Sequence, residues 1–191
     1  MIMSFYNYLN FEMMNEIFGG EVASKTPVIC DQIPGLPNFD PVRYMGSWIE
    51  QQHVTGEIFQ PDSWKCNQAT YTDLDEEGNF KVYNSGQWLF SPRFGVHGHA
   101  KCPATEAPGE CYVKFFFQPW LPSPNYQIID TDYENYSIVY SCQNLGGFFN
   151  TSYLWIMSRV PHMDAATHDM VMAKAKAALP NFDFSRMVSD V

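Results

Sequence analysis

The residues best suited to chemistry in this chain are five cysteines, at positions 30, 66, 102, 111 and 142, and five histidines. His97 and His99 alternate onto one strand face with Cys102 nearby, an arrangement that could hold a divalent metal ion. Two histidines two residues apart are common in strands, though, no further ligand of familiar spacing accompanies them, and no C-x-x-C pair occurs; no metal site is expected. His162 and His168 flank the start of a helical pattern without any spacing that implies a Ser–His–Asp triad. Neither a G-x-S-x-G elbow nor a glycine-rich phosphate loop is present, so catalysis is not expected. The cysteines read instead as disulfide formers of an oxidising compartment. Four bridged cysteines could connect in three ways, and the odd one is left free or paired between chains. Cys102 and Cys111 flank a turn containing Pro103 and Gly109, which suits a local hairpin bridge. Sequons at Asn135 (Asn-Tyr-Ser) and Asn150 (Asn-Thr-Ser) agree with an extracellular, glycosylated protein.

Positioning such residues takes a scaffold, and the pattern of the chain is one of strands. Short strand-like runs fall at 46–54, 66–74, 79–90, 94–102, 111–118, 125–131, 136–142 and 152–159, parted by turn residues at 75–78, 103–109 and 133–135. Short connections make consecutive strands antiparallel neighbours. One helical pattern follows, from about Asp164, its N-cap, to Leu179, stopped by Pro180. A single helix cannot cover both faces of eight strands, so the meander must roll into an up-and-down barrel with the helix packed outside. The fold class is therefore all-β. At eight strands the interior is either filled by side chains or holds one small ligand.

Composition agrees. The 191 residues suffice for one domain; 46% hydrophobic and 17% charged residues exclude a disordered chain, and 16% aromatics favour strands and large apolar surfaces. A net charge of −10 repels phosphate backbones, which excludes nucleic acid as a partner. No apolar run approaches the ~20 residues of a transmembrane helix. Residues 1–27 stand apart from a barrel domain at 28–191. Over 1–20 no export signal is readable, since Asn7, Asn10, Glu12 and Glu16 interrupt the apolar stretch. Either a leader was removed or lies outside the chain, or Ile2, Phe5, Leu9, Met13 and Ile17 form a helix that docks on a partner.

Alternation gives the strand faces. Val113, Phe115 and Phe117 oppose Lys114 and Phe116, so the face without the lysine points inward; Phe80, Val82 and Asn84 oppose Lys81 and Tyr83; Trp155, Met157 and Arg159 share one side of the last barrel strand. The interior is apolar with a few polar groups, as a small-molecule pocket is. The alternative is a dry, filled core.

Three segments carry a family resemblance. Asn38-Phe39-Asp40 through Tyr44-Met45-Gly46-Ser47-Trp48 resembles the entry into the first strand of lipocalins. Thr131-Asp132-Tyr133 resembles the family's T-D-Y turn, and Trp155-Ile156-Met157-Ser158-Arg159 with Pro161 its last strand and exit. In order and at matching spacing they identify residues 28–191 as similar to the lipocalin family, most closely its apolipoprotein D-like branch. The resemblance implies that Trp48 plugs the barrel base and Arg159 lies against its indole, with Gly46 allowing close backbone approach and Asp132 accepting hydrogen bonds within its turn. It also implies a Cys30–Cys142 bridge, closing a long loop worth on the order of 4–5 kcal/mol. Relatives pair the position of Cys66 with a cysteine near the C-terminus, and this chain has none after Cys142, so Cys66 is free or links to another chain.

The function so implied is that of a secreted carrier of a small hydrophobic ligand or pigment, with no cofactor required. Carried over by position, the pocket residues are Tyr71, Asn84, Trp88, Phe115, Phe117, Tyr126, Trp155 and Met157. Position 88, often basic in relatives, is Trp here, which removes a partner for a carboxylate and adds a stacking surface for a polyene, steroid or tetrapyrrole. Phe90, Phe94, Trp120 and Leu121 near the open end offer an apolar patch. The alternative function is a structural or assembly subunit, dimerising or docking a partner through residues 1–20 or Cys66.

Overall fold

The computed structural model describes residues 33–55, 63–88, 91–103, 108–116, 119–145 and 149–191, with the backbone alone at 143–145 and 149–150. A four-residue helix, α1 (Pro41–Tyr44), leads into the barrel. Pro41 pre-sets the backbone at its start, and the Asp40 carboxylate accepts from the Val42 and Arg43 amides at 2.9 and 3.3 Å. The strands are β1 (Gly46–Val54), β2 (Trp64–Thr72), β3 (Asn79–Trp88), β4 (Phe94–Lys101), β5 (Glu110–Phe115), β6 (Tyr126–Thr131), β7 (Tyr136–Leu145) and β8 (Phe149–Ser158). Each pairs antiparallel with the next, and β1 closes the ring by pairing with both β2 and β8. A barrel of this kind leaves no ladder edge among its eight strands. Helix α2 (Ala165–Ala178) and a ninth strand, β9 (Met187–Ser189), lie outside it.

Strand ends fall where backbone conformation dictates. Strand β2 stops at Thr72 rather than 74 because Asp73 takes a positive φ of 58° and turns to pair with Lys81 at 2.8 Å. Likewise β5 stops at Phe115 because Phe116, at φ 54°, turns its ring outward to 70% exposure. Phe117 lies outside the described residues. Cys102 and Cys111 are joined, pinning the β4–β5 connection across a sequence separation of 9; a loop of that length is worth roughly 2–3 kcal/mol in the chain-entropy account. Cys142 is disulfide-bonded as well, while Cys30, the partner implied for it, lies outside the described residues. Cys66 is a free, exposed thiol.

Two apolar layers follow from the alternation. Outside the barrel, Val171, Ala175 and Leu179 of the α2 region pack on Tyr136, Ile138, Tyr140, Leu154 and Ile156. The Asp164 side chain caps α2, accepting from the Thr167 amide at 3.0 Å, and Lys174 reaches Asp130 at 2.7 Å and the Tyr136 hydroxyl at 2.8 Å. Inside, Trp48, Tyr71, Phe80, Val82, Ala100, Ile128, Val139 and Met157 form the other cluster.

The bottom of the barrel is closed by one guanidinium. Arg159 lies 3.7 Å from the Trp48 ring centroid, and its nitrogens donate in plane to the carbonyls of Tyr133 (3.0 Å), Ser47 (2.9 Å), Arg43 (3.1 Å) and Tyr44 (3.3 Å). Gly46 adopts φ +94°, and a Cβ there would sit 3.4 Å from Arg159 Nη1. Asp132 accepts from the amides of Glu134, Asn135 and Tyr136, and Thr131 Oγ1 bridges the Tyr133 amide and the Tyr136 carbonyl. The Tyr133 hydroxyl accepts from the Asp40 amide at 2.9 Å, so the entry segment, the β6–β7 turn and the exit of β8 are tied at one point. Replacing Arg159 with Lys, which cannot reproduce the fork, should lower stability by about 2–4 kcal/mol; denaturant unfolding that shifts by less than about 0.5 kcal/mol would refute this role.

Candidate functional site

The inward residues become more accessible from base to mouth. Trp48 and Ile128 are fully buried and Tyr71, Val82 and Met157 nearly so, whereas Ala69, Val113, Phe115, Tyr126 and Trp155, which pack on the same cluster, are only partly buried. Asn84 shares the inward parity of Phe80 and Val82, pairs in register with Ala69 and Val96, and is exposed. An inward asparagine that water can reach is what a cup open at one end produces. Trp88 lies at the rim, 52% exposed, opposite Trp64 in register, and Trp64 meets Phe94 edge-on with centroids 4.4 Å apart.

Three tyrosines make the floor. The Tyr71 and Tyr126 hydroxyls are 2.7 Å apart, and Tyr44 stacks on Tyr71 with centroids 5.5 Å apart while bonding Ser137 Oγ at 2.9 Å. Burial pushes the Tyr44 hydroxyl up to about 12 and those of Tyr71 and Tyr126 well above their ordinary value. Above Tyr126 the rings stack in sequence: Trp155 at 6.4 Å from Tyr126 and Tyr153 at 5.7 Å from Trp155, near-parallel in both cases. The site residues expected from sequence thus divide between a floor (Tyr71, Met157) that Tyr126 joins to the wall, a partly buried wall (Phe115, Trp155), an exposed wall amide (Asn84) and the rim (Trp88).

A polar cluster on the inner wall was not anticipated from the sequence. Strand β1 carries a bulge between Glu50 and Gln52. In a regular strand, residues three apart face opposite sides; the bulge instead brings Glu50, opposite Met157, and His53, opposite Trp155, to the same inner face. Asp190, after β9, joins them with its side chain fully buried. His53 Nδ1 lies 2.8 Å from Glu50 Oε1 and 3.6 Å from Asp190 Oδ1. Asn67 donates its amide to Asp190 Oδ2 and its Nδ2 to Oδ1, each at 2.9 Å. Burial raises the Asp190 carboxyl, opposed by these hydrogen bonds and by His53.

Other expectations are relocated. Trp120 does not join Phe94 at the rim: it folds onto the outer wall, with the Lys114 and Lys101 ammonium groups 4.5 and 5.0 Å from its ring. It lines an outer groove of 370 Å³ with Lys81, His99, Lys114, Asp73 and Asp75, where charged groups already pair with one another. Cationic lysines prefer an aromatic face to an apolar rim, which accounts for the displacement. Phe90 lies outside the described residues. His97 and His99 are exposed, His97 against Tyr83, and Cys102 is bound to Cys111 rather than available as a thiolate. Asn135 is exposed with its Nδ2 donating to Asp132 at 2.7 Å; the side chain of Asn150 and residues 1–20 lie outside the described residues. No described helix is long and apolar enough to cross a membrane.

A closed eight-stranded antiparallel barrel, plugged at one end by Trp48 and graded in burial toward the other, with a helix on its outside, defines the chain as a calyx protein. Residues 39–189 match the model of the lipocalin-like domain family. Apolipoprotein D of Macaca fascicularis is 34% identical over 142 residues, covering 74% of this chain and 72% of that protein, and that of Rattus norvegicus 35% over 138 residues, covering 72% and 70%. The chain belongs to the lipocalin family. Insecticyanin of the tobacco hornworm Manduca sexta shares the fold with TM-score 0.72 at 23% identity over 87% of each chain, and lobster apocrustacyanin A1 with TM-score 0.62 at 21% identity over 83% of this chain and 89% of that one.

The tyrosine floor makes a pH prediction. Tyr44 holds its proton in the fold until about pH 12, while the unfolded chain releases it near 10. Its contribution is therefore complete below pH 10 and is lost as pH rises toward 12, with Tyr71 and Tyr126 acting in the same direction. Tyrosinate absorbance should rise in two stages, the second coinciding with loss of the far-ultraviolet β signal. Complete ionisation near pH 10 with the barrel intact would contradict it.

Proposed function

We propose that this chain is an extracellular carrier that binds one small hydrophobic molecule inside the calyx, with the flat faces of the ligand against Trp155, Tyr126 and Phe115. The observation that supports this most is the near-parallel stack of Tyr126, Trp155 and Tyr153 on a wall that stays partly accessible above a sealed base. Stacked rings suit a conjugated or fused-ring ligand such as a carotenoid, retinoid, steroid or bilin better than a saturated chain. Asn84, on the accessible inner wall, is the hydrogen-bonding group for a polar end of the ligand, and Trp88 at the rim covers it. Tyr71 and Met157 form the floor on which the ligand rests. At ~25 cal/mol per Å², burying a few hundred Å² of ligand gives enough gross driving force for micromolar binding after association costs. Binding of this kind needs no bond-making. An oxidising compartment accords with the Cys102–Cys111 bridge, and glycans would sit at Asn135 and Asn150.

The test is extraction of the purified protein with organic solvent and mass spectrometry of the extract, followed by titration of the stripped protein with a retinoid or steroid while tryptophan fluorescence is monitored. Trp155→Ala should weaken the titrated affinity about tenfold or more with the fold retained. A stable dimer that yields no extract and shows no saturable quenching would sink the carrier reading and favour the assembly one.

A further inference from the structure

We propose that Glu50, His53 and Asp190 form a site for one divalent cation of the zinc class on the inner wall of the barrel, independent of any ligand in the calyx. The three residues offer one imidazole nitrogen and two carboxylate oxygens, all within 4.8 Å of one another and all from buried residues. Tetrahedral zinc with nitrogen and oxygen ligands at about 2.0–2.2 Å holds its donor atoms about 3.4 Å apart. The separations of 2.8 and 3.6 Å about His53 Nδ1 bracket that value and the third pair lies within 4.8 Å, so side-chain adjustment would seat the ion.

The placement is built rather than incidental. The bulge in β1 is what turns Glu50 and His53 to one side, and β2 bulges in turn between Lys65 and Gln68 where the chain after β9 enters. Asp190 is fixed there by four hydrogen bonds. Its amide donates to the Gln51 carbonyl at 3.0 Å, its carbonyl accepts from the Cys66 amide at 3.2 Å, its carboxylate accepts twice from Asn67, and it faces His53. Hydrogen bonds that orient a ligating carboxylate are the usual surroundings of a metal ligand. One nitrogen donor favours zinc over calcium or magnesium. Three protein ligands leave a fourth position for water, the pattern of an open zinc site.

The experiment uses the full chain carrying Cys66→Ser, which removes the exposed thiol as a competing ligand. Calorimetric titration with zinc chloride should give one ion per chain, and the unfolding temperature should keep rising with the logarithm of free zinc above the dissociation constant. Glu50→Gln should weaken binding at least about tenfold, and Asn67→Ala about as much through loss of the orienting bonds, while a His97→Ala/His99→Ala double variant should bind unchanged. Should the wall variants fail to fold, long-range proton–nitrogen NMR of the imidazoles in the unaltered wall reads the same question, since zinc must shift the His53 Nδ1 resonance. Absence of saturable binding, or zinc-dependent shifts confined to the other histidines, overturns the proposal.

Discussion

A guanidinium lying flat on an indole can be bonded only around its edge, and in this barrel that edge is where three distant segments meet. Arg159 takes carbonyls from the entry helix, from the first residues of β1 and from the β6–β7 turn, while its face rests on Trp48. Backbone carbonyls at the ends of short elements need partners when water is excluded. One planar group supplies four. Because the segments bonded to it flank the joint between β1 and β8, the same contact fixes where the sheet closes and therefore which residues face inward.

What sits above that plug follows from geometry rather than from any special residue. Burial falls along the inward rows of β3 and β8, from Val82 and Met157 to Asn84 and Trp155, and from Tyr71 to Ala69 in β2, while the inner face of β1 stays buried through Glu50 and His53. The tyrosine floor makes the transition. Its hydroxyls satisfy each other and Ser137, which lets large aromatic groups fill the base without leaving polar atoms stranded. The aromatic side chains above them, Phe115 and Trp155, are only partly buried.

Most of the barrel was legible because its signals are local. Period-two alternation located eight strands; ends moved where Asp73 and Phe116 took positive φ and where the β7–β8 ladder ran on to Leu145 and Phe149, and β2 begins at Trp64 and β3 ends at Trp88, each two residues earlier than expected. The turn at 75–78, the disulfide across 103–109 and the cap at Asp164 all depend on residues near one another in the chain. The wall cluster was illegible for the opposite reason. Glu50 and His53 stand three apart, which alternation assigns to opposite faces, and a bulge that no residue type announces reverses that assignment. Asp190 follows a three-residue strand too short to show any period, and it meets Asn67 across 123 positions. Trp120 was misplaced because its aromatic character said nothing of the two lysines that hold it.

The ladder around the barrel is not uniform. Strand β1 pairs with β2 from Gly46 to Ile49 and with β9 from Gln52 to Val54, so along one meridian the wall is completed by a tail rather than by a neighbouring strand of the meander. On its other side β1 pairs with β8 from Ile49 to His53, interrupted by the bulge between Glu50 and Gln52. Closure along that meridian therefore rests on a segment from the far end of the chain, so removing Met187–Ser189 would leave Gln52–Val54 with an open backbone edge on the β9 side.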